Sequence, residues 1–218
     1  MAVLGDVFVN GEKAVISSPS DAYKYHIGMV HQHFKLVETF TAIENVVVGV
    51  TKEDYRKMAE EDGEKNKGFN LKASAKRMER MCDQFGFKLN PWKRVTDMSV
   101  SEKQTLEIVK ALFRGVDILI LDEPTAVLTP QEAETLFGVL RKMKEVGKSI
   151  IIITHKLNEV LEISDRVAVL CKGKVTGDIL TKDANEQILT EMMVGHKIDL
   201  NIPRKDIPNT GVRLEVHL

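Results

Sequence analysis

Apolar and polar positions change rhythm along the chain, and each rhythm predicts a different kind of element. From Val7 to Ile16, two β-prone runs flank Asn10-Gly11. That pairing is a strong hairpin signal, because Asn-Gly supplies the positive φ angles of a tight two-residue turn. Ser18-Pro19-Ser20-Asp21 then reads as the start of a short helix with Pro at its first position, and Ile27 to His31 as a strand leading into Gln32. Between about Thr51 and Arg114 the sequence becomes charged, Met-containing and helix-favouring, with almost no β-branched runs, which predicts a separate helical lobe with an exposed loop over Glu60 to Gly68. Beyond Val116, strand-like runs at Asp117 to Leu121 and Ser149 to Thr154 enclose an amphipathic segment. Thr129-Pro130-Gln131-Glu132 caps that segment, Gly147 stops it, and Ala133, Leu136, Phe137, Leu140 and Met143 share one face. Strand, helix and strand of these lengths form a βαβ unit, so the sheet is expected to be largely parallel. A hairpin over Arg166 to Leu170 and Val175 to Leu180 and a helix over Glu186 to Val194 follow. Pro203, Pro208 and their polar neighbours read as a linker, and Val212 to Val216 as the first strand of something further.

Composition narrows the classes without choosing among them. The 218 residues are 43% hydrophobic, enough for one substantial core, and the net charge of -1 supplies no global field toward nucleic acid or an anionic membrane. Cys82 and Cys171 lie far apart and outside metal-like spacing, which suits reduced thiols better than a disulfide framework. The longest apolar runs, Ile118 to Leu121 and Ile150 to Ile153, are strand-sized and far short of a bilayer span. Residues after Met1 lack the basic region and apolar core of a secretory signal, so the chain is expected on the cytosolic side.

The strongest chemical signal is Ile118-Leu119-Ile120-Leu121-Asp122-Glu123-Pro124-Thr125, where a buried strand delivers adjacent carboxylates at its carboxyl end. In an open parallel sheet that edge binds ligands. Successive strand-end residues point differently, so Asp122 can reach a Mg²⁺ shell while Glu123 faces an attacking water. A lone Asp-Glu reads more simply as a solvated turn. The next strand, however, ends at Thr154-His155, and Gln32 follows a strand as well. His155 could bond a terminal phosphate or the water, and the neutral Gln32 amide could help hold Mg²⁺ or water; the plainer readings are a structural histidine and a loop glutamine. His31 and His33 resemble a metal pair without a third ligand and read as solvated loop residues. Ser99-Val100-Ser101-Glu102-Lys103-Gln104 precedes a helix with Leu106, Val109, Leu112 and Phe113 in a stripe. Such a start suits an anionic phosphate; equally, either serine is an ordinary N-cap with Glu102 or Gln104 closing a capping box.

Taken in order, these residues resemble the ATPase domains of ABC transporters along almost the whole chain. Gln32 resembles the Q-loop glutamine, Ser99 to Gln104 a degenerate signature motif, Leu119 to Glu123 a Walker B strand with its catalytic glutamate, and His155 the switch histidine. Leu121 to Glu132 and Met29 to Phe34 are similar to bacterial importers of simple sugars and nucleosides, where two such domains are usually fused. The resemblance implies a P-loop NTPase-like α/β fold with a mainly parallel sheet, antiparallel β pieces and a helical lobe. It implies an N-terminal β part with the Q-loop over 1–50, the helical lobe with the signature over 51–115, a lobe with Walker B and switch histidine over 116–198, and a linker with the start of a second domain over 199–218. The cofactors implied are ATP and Mg²⁺: Glu123 and His155 would be catalytic, Gln32, Asp122, Ser99, Ser101 and Glu102 would contact nucleotide, and Gln32 and Asp122 would hold the metal. Implied partners are transmembrane permease subunits, a second ATPase domain in a head-to-tail dimer and, indirectly, a substrate-binding protein, with no nucleic acid, and a place on the cytoplasmic face of the membrane.

Departures from the pattern carry their own expectations. A P-loop needs Gly-x-x-x-x-Gly-Lys-Ser/Thr between a strand and a helix, so that its amides and lysine grip phosphate. Gly147-Lys148-Ser149 is the nearest match, but Lys142 stands where the earlier glycine belongs and a strand follows. By resemblance the chain starts just beyond the missing Walker A strand, loop and helix, as a piece truncated before Met1, and is expected to be inactive alone. Met98, Val100 and Ser101 replace the usual signature leucine and glycines, which puts phosphate contact at Ser101 in question. Two readings remain beside an importer ATPase: a non-hydrolysing remnant that pairs with a complete domain, and a non-transport ABC ATPase, which the modest helical lobe and neutral charge disfavour.

Overall fold

The computed structural model describes residues 5–63 and 68–194. The linker and strand expected within 199–218 lie outside the described residues, as does part of the Glu60 to Gly68 loop. Two compact units are present, one ending at His155 and the other beginning at Lys156.

In the first unit, strands β1 (Val7–Val9) and β2 (Glu12–Ala14) pair antiparallel around Asn10 and Gly11, both at positive φ, as the Asn-Gly signal predicts. Helix α1 (Pro19–Lys24) is capped by the Ser18 hydroxyl, which accepts from the Asp21 amide, and leads into β3 (Ile27–Val30). Next come α2 (Ala42–Val47), α3 (Lys52–Glu61), α4 (Leu71–Phe85), a 3-10 turn at Val95–Asp97 and α5 (Val100–Phe113). The periodicity does not predict α2. It comes from the stretch assigned to the N-terminal β part, yet it packs against α4 and α5. Then β4 (Ile118–Asp122), α6 (Pro130–Glu145) and β5 (Ser149–Ile153) form the expected βαβ unit, and the parallel sheet runs in the order β3-β4-β5.

Register gives this sheet two unlike faces. Gly28, Leu119 and Ile150 stand in one row and Val30, Leu121 and Ile152 in the next, while Met29, Ile120 and Ile151 point to the opposite side. The first face is covered: Val30, Leu119 and Leu121 are buried, α5 packs against β3 and α6 against β5. The second is open, with Met29 40%, Ile151 51% and Ile153 47% exposed. Gly28 is required where the covered face is tightest, since a Cβ there would lie 2.7 Å from a methyl of Val116. Burial pushes the Cys82 thiol up to about 11, which leaves it protonated and unreactive.

The second unit contains α7 (Leu157–Ile163), the hairpin β6 (Arg166–Cys171) and β7 (Lys174–Leu180), and α8 (Glu186–Val194). Its core is Val167, Val169 and Leu189, with Leu157, Val160, Leu161, Ile179 and Met192 packed around them.

Candidate functional site

Three parallel strands end level with one another, and that edge gathers most of the predicted chemistry. Val30 pairs in register with Leu121, and Asp122 with Ile153. Gln32 therefore leaves the edge of β3, Asp122 and Glu123 the end of β4, and His155 the end of β5. This level edge follows from the sequence: β-branched and leucine runs make the strands, and polar residues end them together.

Glu123 is the best-fixed member. Its φ is 47, in the left-handed region; its amide donates to Ile153 O at 2.8 Å and its carbonyl accepts from the Ala126 amide at 3.1 Å. One carboxylate oxygen, Oε1, lies 2.7 Å from His155 Nδ1. An ionised carboxylate only accepts, so Nδ1 carries the hydrogen and the other ring edge is left for a second partner. The histidine side chain is 73% exposed and that of Glu123 only 18%. The second oxygen, Oε2, is buried without a hydrogen-bond partner. A buried carboxylate oxygen with no protein donor is rare.

Among the described residues no group of three or more His, Cys, Asp or Glu could enclose a metal ion. A Mg²⁺ site of the kind completed by phosphate and water oxygens needs only one carboxylate. Asp122, half-buried at the strand end, and the exposed Gln32 amide fit such a role.

The start of α5 follows the capping alternative in detail. Ser99 is the N-cap, its Oγ accepting from the Glu102 amide at 3.2 Å while Glu102 Oε2 accepts from the Ser99 amide at 2.8 Å. Glu102, not Gln104, thus closes the box, and it also takes the Lys93 ammonium at 2.7 and 2.8 Å. Burial pushes the Glu102 carboxyl up, but Lys93 and the Ser99 amide outweigh burial and hold it below the usual range. The Ser101 carbonyl accepts from Thr105 Oγ1 at 2.9 Å. Lys148 of the false P-loop triplet pairs with Asp117 at 2.7 Å.

The profile of the ABC transporter family matches residues 3–126. The chain belongs to the ABC transporter family. It is 39% identical over 214 residues to the nucleoside import ATP-binding protein NupA of Lactococcus lactis subsp. cremoris, covering 97% of this chain and 40% of the relative. It is 40% identical over 201 residues to the guanosine import ATP-binding protein NupO of Bacillus subtilis, covering 92% and 37%. The chain thus spans about two fifths of the length of these relatives. Among solved structures, it resembles the ADP conformation of MJ1267, an ATP-binding cassette of an ABC transporter, with a TM-score of 0.67 at 19% identity over 85% of this chain and 74% of the other. It also resembles the dimeric post-hydrolysis state of the ATP-binding cassette MJ0796 bound to ADP and Pi, with a TM-score of 0.62 at 21% identity over 82% and 74%. At those identities the likeness concerns the ABC ATPase fold, an α/β architecture with a parallel sheet, antiparallel strands and helices.

Of the predicted residues, Glu123 and His155 bond directly, Gln32 and Asp122 share their sheet edge, and Ser99, Ser101 and Glu102 sit on a separate element at the α5 N-terminus. Sequence reasoning missed Asn45, Glu107 and Lys110, buried or nearly buried polar groups that grip the backbone after Gln32. One signal for them was present: Glu107 and Lys110 interrupt the apolar run Leu106 to Phe113.

Proposed function

We propose that this chain forms part of the ATP-binding, energy-coupling component of an importer for a sugar or nucleoside. The carrying observation is the Glu123-His155 pair at the level strand ends, with the Glu123 Oε2 buried and free of protein donors. The Glu123 carboxylate accepts from the attacking water and receives its proton; His155 fixes the carboxylate through Nδ1-H and keeps its other ring edge toward the terminal phosphate. Asp122 and Gln32 would hold Mg²⁺, which would supply neutralisation of phosphate charge when bound. Ser99, Ser101 and Glu102 present the start of α5 to the nucleotide of a second ATPase domain packed head to tail. Val37, Phe40 and Trp92 are exposed apolar groups on neighbouring stretches, joined where the Val95 amide donates to Phe40 O, and they suit contact with the permease on the cytoplasmic face of the membrane. A substrate-binding protein would act through that permease.

One observation favours a narrower reading for residues 1–218 by themselves. They contain no Gly-x-x-x-x-Gly-Lys-Ser/Thr segment. Positioning of a polyanion then falls to carboxylates, which repel it, so this stretch alone binds Mg·ATP weakly and turns it over negligibly, acting only beside groups it does not contain. The test is Glu123→Gln in a polypeptide that extends these residues with such a loop. ATP binding is expected to persist while phosphate release falls by roughly 10²- to 10⁴-fold, the usual worth of general-base catalysis. Phosphate release within twofold of the unsubstituted protein would rule out Glu123 as the base.

A further inference from the structure

Residues on either side of Phe34 are held in opposite ways. Val30 belongs to β3 and is paired with Leu121, whereas residues 31–34 make no backbone hydrogen bond to another segment among the described residues. From Lys35 onward the backbone is gripped almost continuously. The Lys35 amide donates to Glu107 Oε1 at 2.5 Å, and the Lys35 carbonyl accepts from Lys110 Nζ at 2.9 Å. Asn45 takes both polar groups of Val37, at 2.7 and 3.0 Å. Thr96 and Val95 donate to the carbonyls of Glu38 and Phe40, Ala42 and Ile43 donate to those of Lys93 and Pro91, and Arg114 donates to the carbonyl of Val48. Glu107, Lys110 and Arg114 are spaced i, i+3, i+7, so one stripe of α5 running onto its C-cap holds the chain at residues 35 and 48.

The first two members of that stripe are unusual in chemistry. Glu107 is 6% exposed and pairs with Lys110 at 2.8 Å. A nearly buried ion pair gains little over well-packed apolar residues of the same size, because desolvation offsets its attraction. What an apolar pair could not do is bind both polar groups of one peptide residue, and that is where these charges are spent. We propose that Glu107 and Lys110 are positioning residues for Gln32: they weld Lys35 to α5, so that Gln32 rides on the unpaired tether 31–34 between the end of β3 and α5. A change at the α5 N-terminus then reaches the tether at a rigid anchor, Lys35, three residues from Gln32. This inference rests on the proposed nucleotide-facing role of Gln32.

The experiment pairs Glu107→Leu/Lys110→Met, which removes both charges together and fills their volume, with the conservative Glu107→Gln. Amide exchange at Lys35 in the full chain is expected to rise by roughly ten- to a hundredfold in the double variant, the usual worth of a hydrogen bond to a charged acceptor. Ile120 and Leu121 in β4 should keep their rates, and Glu107→Gln should restore most of the Lys35 protection. In the assembled, ATP-hydrolysing transporter, kcat is expected to fall at least tenfold in the double variant with KM for ATP within about twofold, and Glu107→Gln to recover most of it. Unchanged exchange at Lys35, exchange raised equally in β4, or full kcat with Lys35 released each overturns the proposal. Absence of ATP hydrolysis in the unsubstituted transporter would instead overturn the proposed ATPase reading, and the exchange comparison would still decide the clamp by itself.

Discussion

Glutamate rarely adopts a φ of 47, and Glu123 does so while burying a carboxylate oxygen without a protein donor. Neither feature favours folding, and both sit where the three strands end. Asn tolerates the left-handed region better and carries no charge, so Glu123→Asn is expected to raise the chain's thermal midpoint, by the equivalent of roughly 0.5–1 kcal/mol. A lowered midpoint would mean that the His155 bond stabilises the fold more than the strained backbone opposes it. At this scale the sequence was informative about position and silent about contact. Strand lengths and polar stops bring Gln32, Asp122, Glu123 and His155 to one edge. The 2.7 Å bond across 32 residues of chain, the left-handed φ and the orphaned oxygen depend on how β4 and β5 settle against each other, which no local pattern encodes.

Four of the described helices start the same way: Thr41 with Glu44, Thr51 with Asp54, Ser99 with Glu102 and Thr129 with Glu132 form reciprocal capping boxes. The Thr41 amide and hydroxyl hold Glu44 below the usual carboxylate range, and those of Thr129 do the same for Glu132. A folded-state value below the unfolded one means stability that is complete above about pH 4.3, the ordinary glutamate value, and is lost as pH falls through the lowered values. Helical ellipticity is therefore expected to decline on acidification below about pH 4. Glu132→Gln, which keeps an acceptor but cannot titrate, should flatten the part of the decline due to α6; an unaltered acid profile would show that the cap carboxylate contributes nothing to it. Packing supplies a second expectation. Gly28→Ala would push a methyl to within 2.7 Å of the buried Val116 and is expected to cost about 1–3 kcal/mol in urea unfolding, largely recovered by adding Val116→Ala. Equal stability of Gly28→Ala and the parent would show that β3 can shift freely. Long periodic elements such as α6 and α8 were legible with nearly their observed bounds. The six-residue α2 and seven-residue α7 were not, because less than two turns gives no usable period. In α2 the Thr41-x-x-Glu44 box was the signal to read.

Across the whole molecule, the sheet is covered on one face and open on the other, where Met29, Ile120, Ile151 and Ile153 form an apolar surface. Such surfaces associate. Ile151→Thr/Ile153→Thr keeps β-branching and is expected to lower concentration-dependent light scattering by the chain without changing its circular dichroism; scattering equal to the parent's would shift the sticky surface elsewhere. The asymmetry was hard to read from sequence, because the strands are apolar on both sides and alternate too little to betray which side a helix covers. The unpaired stretch between β3 and Lys35 carries a mechanical consequence of its own. Five Cα steps separate Val30 from Lys35, and a chain of that length extends to at most about 18 Å. That stretch is thus a leash with a fixed stop: any separation of Val30 and Lys35 beyond its reach must first pull Lys35 off Glu107.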